Sequence, residues 1–185
     1  SSIKITKNSA TRDAASVQTF AQGTNYTDQA VKVFKEALDK LNKPVIWVFY
    51  GDHLPGIYPE LATDSILQHK TDYFVYANKY AREHGALTKI GGNNIVGSDS
   101  FIALALQQGN VKVNPYTALL TKVQQNLPAQ WIKTDDSLTD STEGVDFVTD
   151  KGTNLAYKEL TTKQKRLYHD YQLLQYDINV GKQYS

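Results

Sequence analysis

The strongest constraint on this chain is the unbroken run Val45-Ile46-Trp47-Val48-Phe49-Tyr50, followed at once by Gly51-Asp52-His53-Leu54-Pro55-Gly56. The run is too short for a helix and does not alternate. It predicts a strand covered on both faces, as in the middle of a parallel sheet. Ahead of it, Ala30, Val33, Phe34, Ala37, Leu38 and Leu41 recur at three- and four-residue steps. That spacing predicts an amphipathic helix with one buried face, capped by Thr27 or Asp28 and stopped at Asn42-Lys43-Pro44. Helix, short turn and buried strand together predict an α/β layer fold.

The rest of the chain is read in the same terms. Residues 1–25 are polar and predict an irregular entry segment, and 58–70 predict a loop with a short helix. Asp72-Tyr73-Phe74-Val75-Tyr76-Ala77 predicts a second strand. Gly91-Gly92-Asn93-Asn94 predicts a turn. Helices are expected over 101–108, ending at Gly109, and over 116–126, stopped by Leu127-Pro128. Residues 134–150, with several Ser, Thr and Asp around Gly144, predict an exposed loop or hairpin. A last helix is expected over 161–176, with Leu167, Tyr168, Tyr171 and Leu174 inward. No internal repeat is visible, and 185 residues suffice for one domain with a real core.

Composition removes several classes of function. Hydrophobic residues at 41% against 21% charged describe a globular chain, not a disordered one. A net charge of +1, mixed in sign along the chain, offers no footprint for nucleic acid. With no cysteine, disulfides, thiolate zinc sites and cysteine nucleophiles are excluded. No apolar run approaches the roughly 20 residues that cross a bilayer, and no signal peptide is present. The chain contains no methionine and opens Ser1-Ser2. It therefore reads as a piece of a longer protein, with any export signal or membrane anchor upstream.

Chemistry concentrates at Asp52-His53. Ligands in open parallel α/β sheets bind beyond the carboxyl ends of strands, and this pair follows the most strand-like segment. A carboxylate oxygen and a neutral imidazole nitrogen both suit Zn2+ or Mn2+. Gly51 would let the backbone turn so that both converge, and Pro55 would stiffen the loop. On residues alone, the pair reads equally as ordinary turn residues after a strand, and two ligands do not complete a site. His69, His84 and His169 are scattered, with surface roles as the default and His69 nearest the expected cleft. The segment 91–98 has the glycines of a phosphate loop but no Walker lysine, so it reads as a turn. The twelve tyrosines read as half-buried packing residues with polar tips.

The run from Trp47 to Gly56 resembles the Tyr-Gly-Asp-His segment of the lipoteichoic acid synthase and phosphoglycerol transferase family, in the sulfatase branch of the alkaline-phosphatase superfamily. Lys70-Thr71-Asp72-Tyr73-Phe74-Val75-Tyr76-Ala77-Asn78 looks like the family strand that follows the metal loop. Residues 168–184, with Tyr176-Asp177 and Gly181-Lys182, resemble the closing segment of many Gram-positive members. The similarity runs from about Tyr26 to the end. Leu54-Pro55-Gly56 is closer to the wider family than to lipoteichoic acid synthase itself, which leaves the substrate open.

The resemblance implies the C-terminal part of a three-layer αβα domain facing the outside of the cell, tethered by N-terminal membrane helices. It implies one divalent ion, Mn2+ first, with Mg2+ or Zn2+ possible. Its ligands would be an upstream glutamate, an upstream threonine nucleophile, and the pair here at Asp52 and His53. The substrate would be a phosphoglycerol-bearing lipid or cell-envelope polymer. Thr6, Thr11, Thr19, Thr24 and Thr27 have no nucleophile-like surroundings and read as loop or cap residues. On this reading the nucleophile lies upstream, and the chain alone holds the ion weakly and is catalytically silent. The alternative is a cell-surface interaction module that keeps the fold without the chemistry.

Overall fold

A computed structural model of the chain describes residues 3–4, 6–7, 13–57, 66–132 and 145–182. It is an α/β protein, and the stretch read as one domain divides into two compact units, Ser1–His84 and Gly85–Ser185.

The first unit contains helix α1 (Ala14–Asp39), strand β1 (Ile46–Tyr50), a 3-10 turn at Ile66–His69, strand β2 (Tyr73–Ala77) and helix α2 (Lys79–Glu83). Helix α1 starts at Ala14, so the expectation of irregular chain to residue 25 is corrected. Its cap is Asp13, not Thr27 or Asp28. The Asp13 carboxylate accepts from Ser16 N–H at 2.8 Å and from the Ser16 hydroxyl at 2.6 Å. These Ser16 bonds hold its carboxyl below the ordinary carboxylate value. Thr19, Thr24 and Thr27 donate their hydroxyls to the carbonyls of Ala15, Phe20 and Gly23. A polar segment is thus helical behind the Asp13 cap, with its threonine hydroxyls returned to the helix's own carbonyls, and without the apolar period that sequence reading depends on. The expected buried face is also corrected. Only Leu38 is buried, while Val33 and Phe34 remain 65% and 49% exposed.

Strand β1 falls where expected, but its surroundings differ. It pairs antiparallel with β2, from Ile46 opposite Ala77 to Tyr50 opposite Tyr73, in a two-stranded sheet. Its side chains are half-buried, and Tyr50 is exposed. The expectation of a nearly buried central strand in a parallel sheet is therefore corrected. An apolar run reports what its faces prefer; the direction of its partner is set by pairing with β2. One face of the pair carries Trp47, Phe49 and Phe74. Phe74 stacks on Phe49 at 5.2 Å, and Trp47 meets Phe74 edge-on at 5.0 Å. Phe34 of α1 meets Trp47 edge-on at 4.8 Å.

Asn78, fully buried, joins all these elements. Its side-chain oxygen accepts from Val45 N–H and Ala81 N–H, both at 3.0 Å. Its amide nitrogen donates to the Leu38 carbonyl at 2.9 Å and the Lys43 carbonyl at 3.0 Å. One amide thereby ties the end of α1, the turn after it, the entrance of β1 and the cap of α2. Asp39 adds a second tie. Its carboxylate accepts from the Tyr76 hydroxyl at 2.7 Å and from Lys79 N–H at 2.7 Å, and pairs with Lys35 at 3.3 Å. Desolvation pushes the Asp39 carboxyl upward, but the bonds from Tyr76, Lys79 and Lys35 together hold it below its ordinary value.

In the second unit, helices α3 (Phe101–Gly109), α4 (Pro115–Asn126) and α5 (Thr162–Asn179) accompany strands β3 (Ala129–Ile132), β4 (Val145–Val148) and β5 (Asn154–Ala156). The strands form an antiparallel sheet in the order β3-β4-β5. Sequence reading missed β3, and it read 134–150 as an exposed loop or hairpin; residues 145–148 are a strand paired with β5, with Asp146, Phe147 and Val148 buried rather than exposed. The remainder of the expected loop or hairpin, through residue 144, lies outside the described residues. Gly109 is the last residue of α3, and Asn110 takes the left-handed conformation expected just beyond a helix end. The turn from β4 to β5 needs Gly152, whose φ is +74°. The core gathers Ala103, Leu120, Val123, Leu127, Phe147, Leu160, Tyr168 and Tyr171, with Leu167 packed against it. Helix α5 presents Tyr168 and Tyr171 inward as expected. It starts at a reciprocal cap between Thr161 and Gln164.

Replacing Asn78 with Ala or Asp should therefore destabilise the first unit by roughly 2–4 kcal/mol, because the Lys43 carbonyl loses its donor and the Leu38 carbonyl is left to the Leu41 N–H. Urea denaturation followed by tryptophan fluorescence in a Trp131→Phe background measures this through Trp47, and a change below about 0.5 kcal/mol would refute it. Asp39 gives a second expectation. Because its folded value is depressed, its stabilisation is complete above about pH 4 and is lost as pH falls through the lower folded value. The stability gap between wild type and Asp39→Asn should be present at pH 7 and shrink at pH 3, and a constant gap would contradict this.

Candidate functional site

The site begins where the ladder of β1 and β2 runs out. Gly51 N–H still donates to the Asp72 carbonyl at 3.2 Å. The Gly51 carbonyl accepts from the Thr71 hydroxyl at 2.6 Å. A Cβ on Gly51 would stand 3.1 Å from Thr71 Cβ. A larger residue at 51 would push Thr71 back by a few tenths of an ångström. The backbone at 51 is not left-handed, and the chain bends directly after it, at Asp52 and His53.

Asp52 and His53 follow, exposed to solvent over 82% and 75% of their side chains. His53 N–H donates to Asp52 Oδ1 at 2.9 Å. His53 Nδ1 lies 2.9 Å from the Leu54 carbonyl oxygen. A carbonyl can only accept, so Nδ1 carries the proton. In the neutral ring, Nε2 is then a bare lone pair. That atom faces Asp52 Oδ2 at 3.6 Å. With the ring neutral, two electron-pair donors face each other, and with Nε2 protonated the same contact is an ion pair; the remaining donor and acceptor are occupied locally. A ligating histidine ordinarily has this arrangement, with its other ring nitrogen donating to a carbonyl. Two ligand atoms about 2.1 Å from a tetrahedral ion stand roughly 3.4 Å apart, so the spacing fits a shared divalent cation.

Among the described residues, no group of three or more His, Asp or Glu converges to hold a metal. His69 ends the 3-10 turn and joins no such group. The His84 ring stacks on Tyr80 at 3.8 Å and its Nδ1 bonds the Tyr80 carbonyl at 2.7 Å, a helix-end role in α2. His169 is exposed on α5 of the second unit. Of the candidate threonines, Thr19, Thr24 and Thr27 spend their hydroxyls inside α1. Thr6 is exposed, and Thr11 lies outside the described residues.

The glycine-rich segment 91–98 belongs to the second unit. The N–H groups of Asn94 and Ile95 donate to Asp150 Oδ1 at 2.8 and 3.2 Å, and Asn93 Nδ2 donates to the Leu127 carbonyl at 2.5 Å. A carboxylate of the chain itself occupies the N–H groups that a phosphate loop would offer, in keeping with the turn reading. Sequence reading missed Thr71. Only the β1–β2 register brings it to Gly51, and no local motif signals that register.

No described helix is long and apolar enough to cross a membrane. Comparison with curated proteins and with solved structures gives no match. A family model described as Sulfatase matches residues 2–111, more than half of the chain and the stretch that contains Gly51, Asp52, His53 and Thr71. The chain belongs to the sulfatase family, within the sulfatase and alkaline-phosphatase-like superfamily.

Proposed function

We propose that Asp52 and His53 are two ligands of a divalent-metal centre, Mn2+ first, in a sulfatase-family phosphoglycerol transferase that works on phosphodiesters of lipids or cell-envelope polymers. The observation that carries the reading is the pairing of His53 Nε2 with Asp52 Oδ2 at 3.6 Å at the end of β1, inside the family-matched stretch. The Tyr50-Gly51-Asp52-His53 resemblance supplies the finer choice of phosphoglycerol transfer over sulfate-ester hydrolysis. An extracytoplasmic location, with the protein held to the cell membrane by a segment elsewhere in its sequence, belongs to the same proposal.

A divalent ion held there would neutralise charge on the phosphorus oxygens and acidify the attacking hydroxyl. The contribution of this chain is positional. His53 keeps its lone pair outward because the Leu54 carbonyl holds the proton at Nδ1. Asp52 keeps Oδ2 outward because Oδ1 is engaged by His53 N–H. In-line attack on a phosphodiester also needs a hydroxyl opposite the leaving group. The α1 threonines are unsuited to that task, since each hydroxyl already donates within the helix. The proposal places the nucleophile and the remaining ligands in other parts of the protein's sequence.

In the membrane-bound protein, Asp52→Ala or His53→Ala should lower phosphodiester turnover by at least roughly 100-fold, because losing a ligand unseats the ion. Chelation should abolish turnover and added Mn2+ restore it. Near wild-type rates in Asp52→Ala, or indifference to chelation, would end the metal assignment. For the 185-residue chain by itself, incubation with Mn2+ and a chromogenic phosphodiester should give no turnover above buffer. Saturable, Mn2+-dependent turnover that disappears in Asp52→Ala would place a nucleophile within this chain.

A further inference from the structure

We propose that Thr71 is a positioning residue for the Asp52–His53 pair. The inference rests on the metal reading of that pair for its functional meaning, but its geometry stands without it. Both pair members are mostly exposed, so packing does little to hold them. Their mutual bond and the Leu54 contact orient them only relative to their own loop. The loop itself must be fixed to the sheet at its first peptide. That peptide joins Gly51 to Asp52, and its carbonyl accepts from the Thr71 hydroxyl at 2.6 Å. The Gly51 N–H is fixed separately by the Asp72 carbonyl.

Two features make the contact specific. The antiparallel register places Tyr73 opposite Tyr50, so Thr71 lies just beyond the sheet, where it can reach past the last ladder bond. Gly51 has no Cβ, and one placed there would stand 3.1 Å from Thr71 Cβ. The absent side chain at 51 leaves Thr71 in close contact with the peptide it bonds. Asp52 and His53 depart from a peptide plane whose oxygen is tethered, as partners behind metal ligands usually arrange.

The test uses the whole chain labelled with 15N, as wild type, Thr71→Val and Thr71→Ser. Valine keeps the branched shape against Gly51 and removes only the hydroxyl; serine retains the hydroxyl. Backbone order parameters at Asp52 and His53 are measured without metal, and Mn2+ is then titrated while paramagnetic broadening of the same signals reports its affinity. Wild type and Thr71→Ser should show rigid values near 0.85, with Thr71→Val falling below about 0.6. Mn2+ affinity should drop about tenfold in Thr71→Val alone, with thermal midpoints within about 2 °C of one another. Unchanged order parameters in Thr71→Val, or valine-like behaviour in Thr71→Ser, would overturn the proposal. Equal loosening along Ile46–Tyr50 would overturn it too, since Thr71 would then merely support the strand. Failure of Mn2+ to broaden Asp52 and His53 in wild type would count against the metal reading, and the order parameters would still decide the role of Thr71.

Discussion

The first unit depends on a single buried amide. Asn78 satisfies two backbone N–H groups and two carbonyls at once, and it does so with no solvent exposure. These groups lie at the end of α1, in the turn after it, at the entrance of β1 and in the first turn of α2, where regular helix and strand bonding does not reach all of them. In a low-dielectric setting an unpaired group is costly, so the amide works as a fixed junction. It holds the entrance of β1 against the end of α1. The exit of β1 is where Asp52 and His53 emerge, so the junction sets the base from which the site projects.

The two units are held together internally by different means. In the second, Phe147 and Tyr168 meet edge-on at the centre of a packed cluster, and three helices and a three-stranded sheet contribute to it. In the first, few side chains are buried. The aromatic contacts among Phe34, Trp47, Phe49 and Phe74 are made on a half-exposed face. Polar ties at Asn78 and Asp39 do there what apolar burial does in the second unit. A site with exposed ligands on a unit of this kind needs local tethers, and the Thr71–Gly51 bond is one.

Legibility followed the range of the interactions. Strand β1, the strand near residue 73 and the helices near 101, 116 and 162 carry their signals within a few residues, as apolar runs, caps and stops. The start of α1 was misread because the Asp13 cap, bonded to Ser16, opens a helix whose first turns are polar and carry no apolar period. Strand β3 was missed because Ala129-Gln130-Trp131-Ile132 is short and follows a proline. At the site, Asp52 and His53 were visible as adjacent ligand types after a strand, whereas Thr71 was invisible.

The sequence by itself determined the α/β class, the place of β1 and the Asp52–His53 pair, and the family match over residues 2–111 locates that pair within a sulfatase-family stretch. These are properties of contiguous residues. Only the tertiary structure decided that β1 runs antiparallel to β2, that the apolar stripe of α1 stays largely exposed, and that Gly51 answers to Thr71. Each of these depends on which distant segment arrives beside a residue. Apolar pattern states a preference for burial, but register and backbone hydrogen bonding choose the partner, and with it the direction in which His53 Nε2 and Asp52 Oδ2 point.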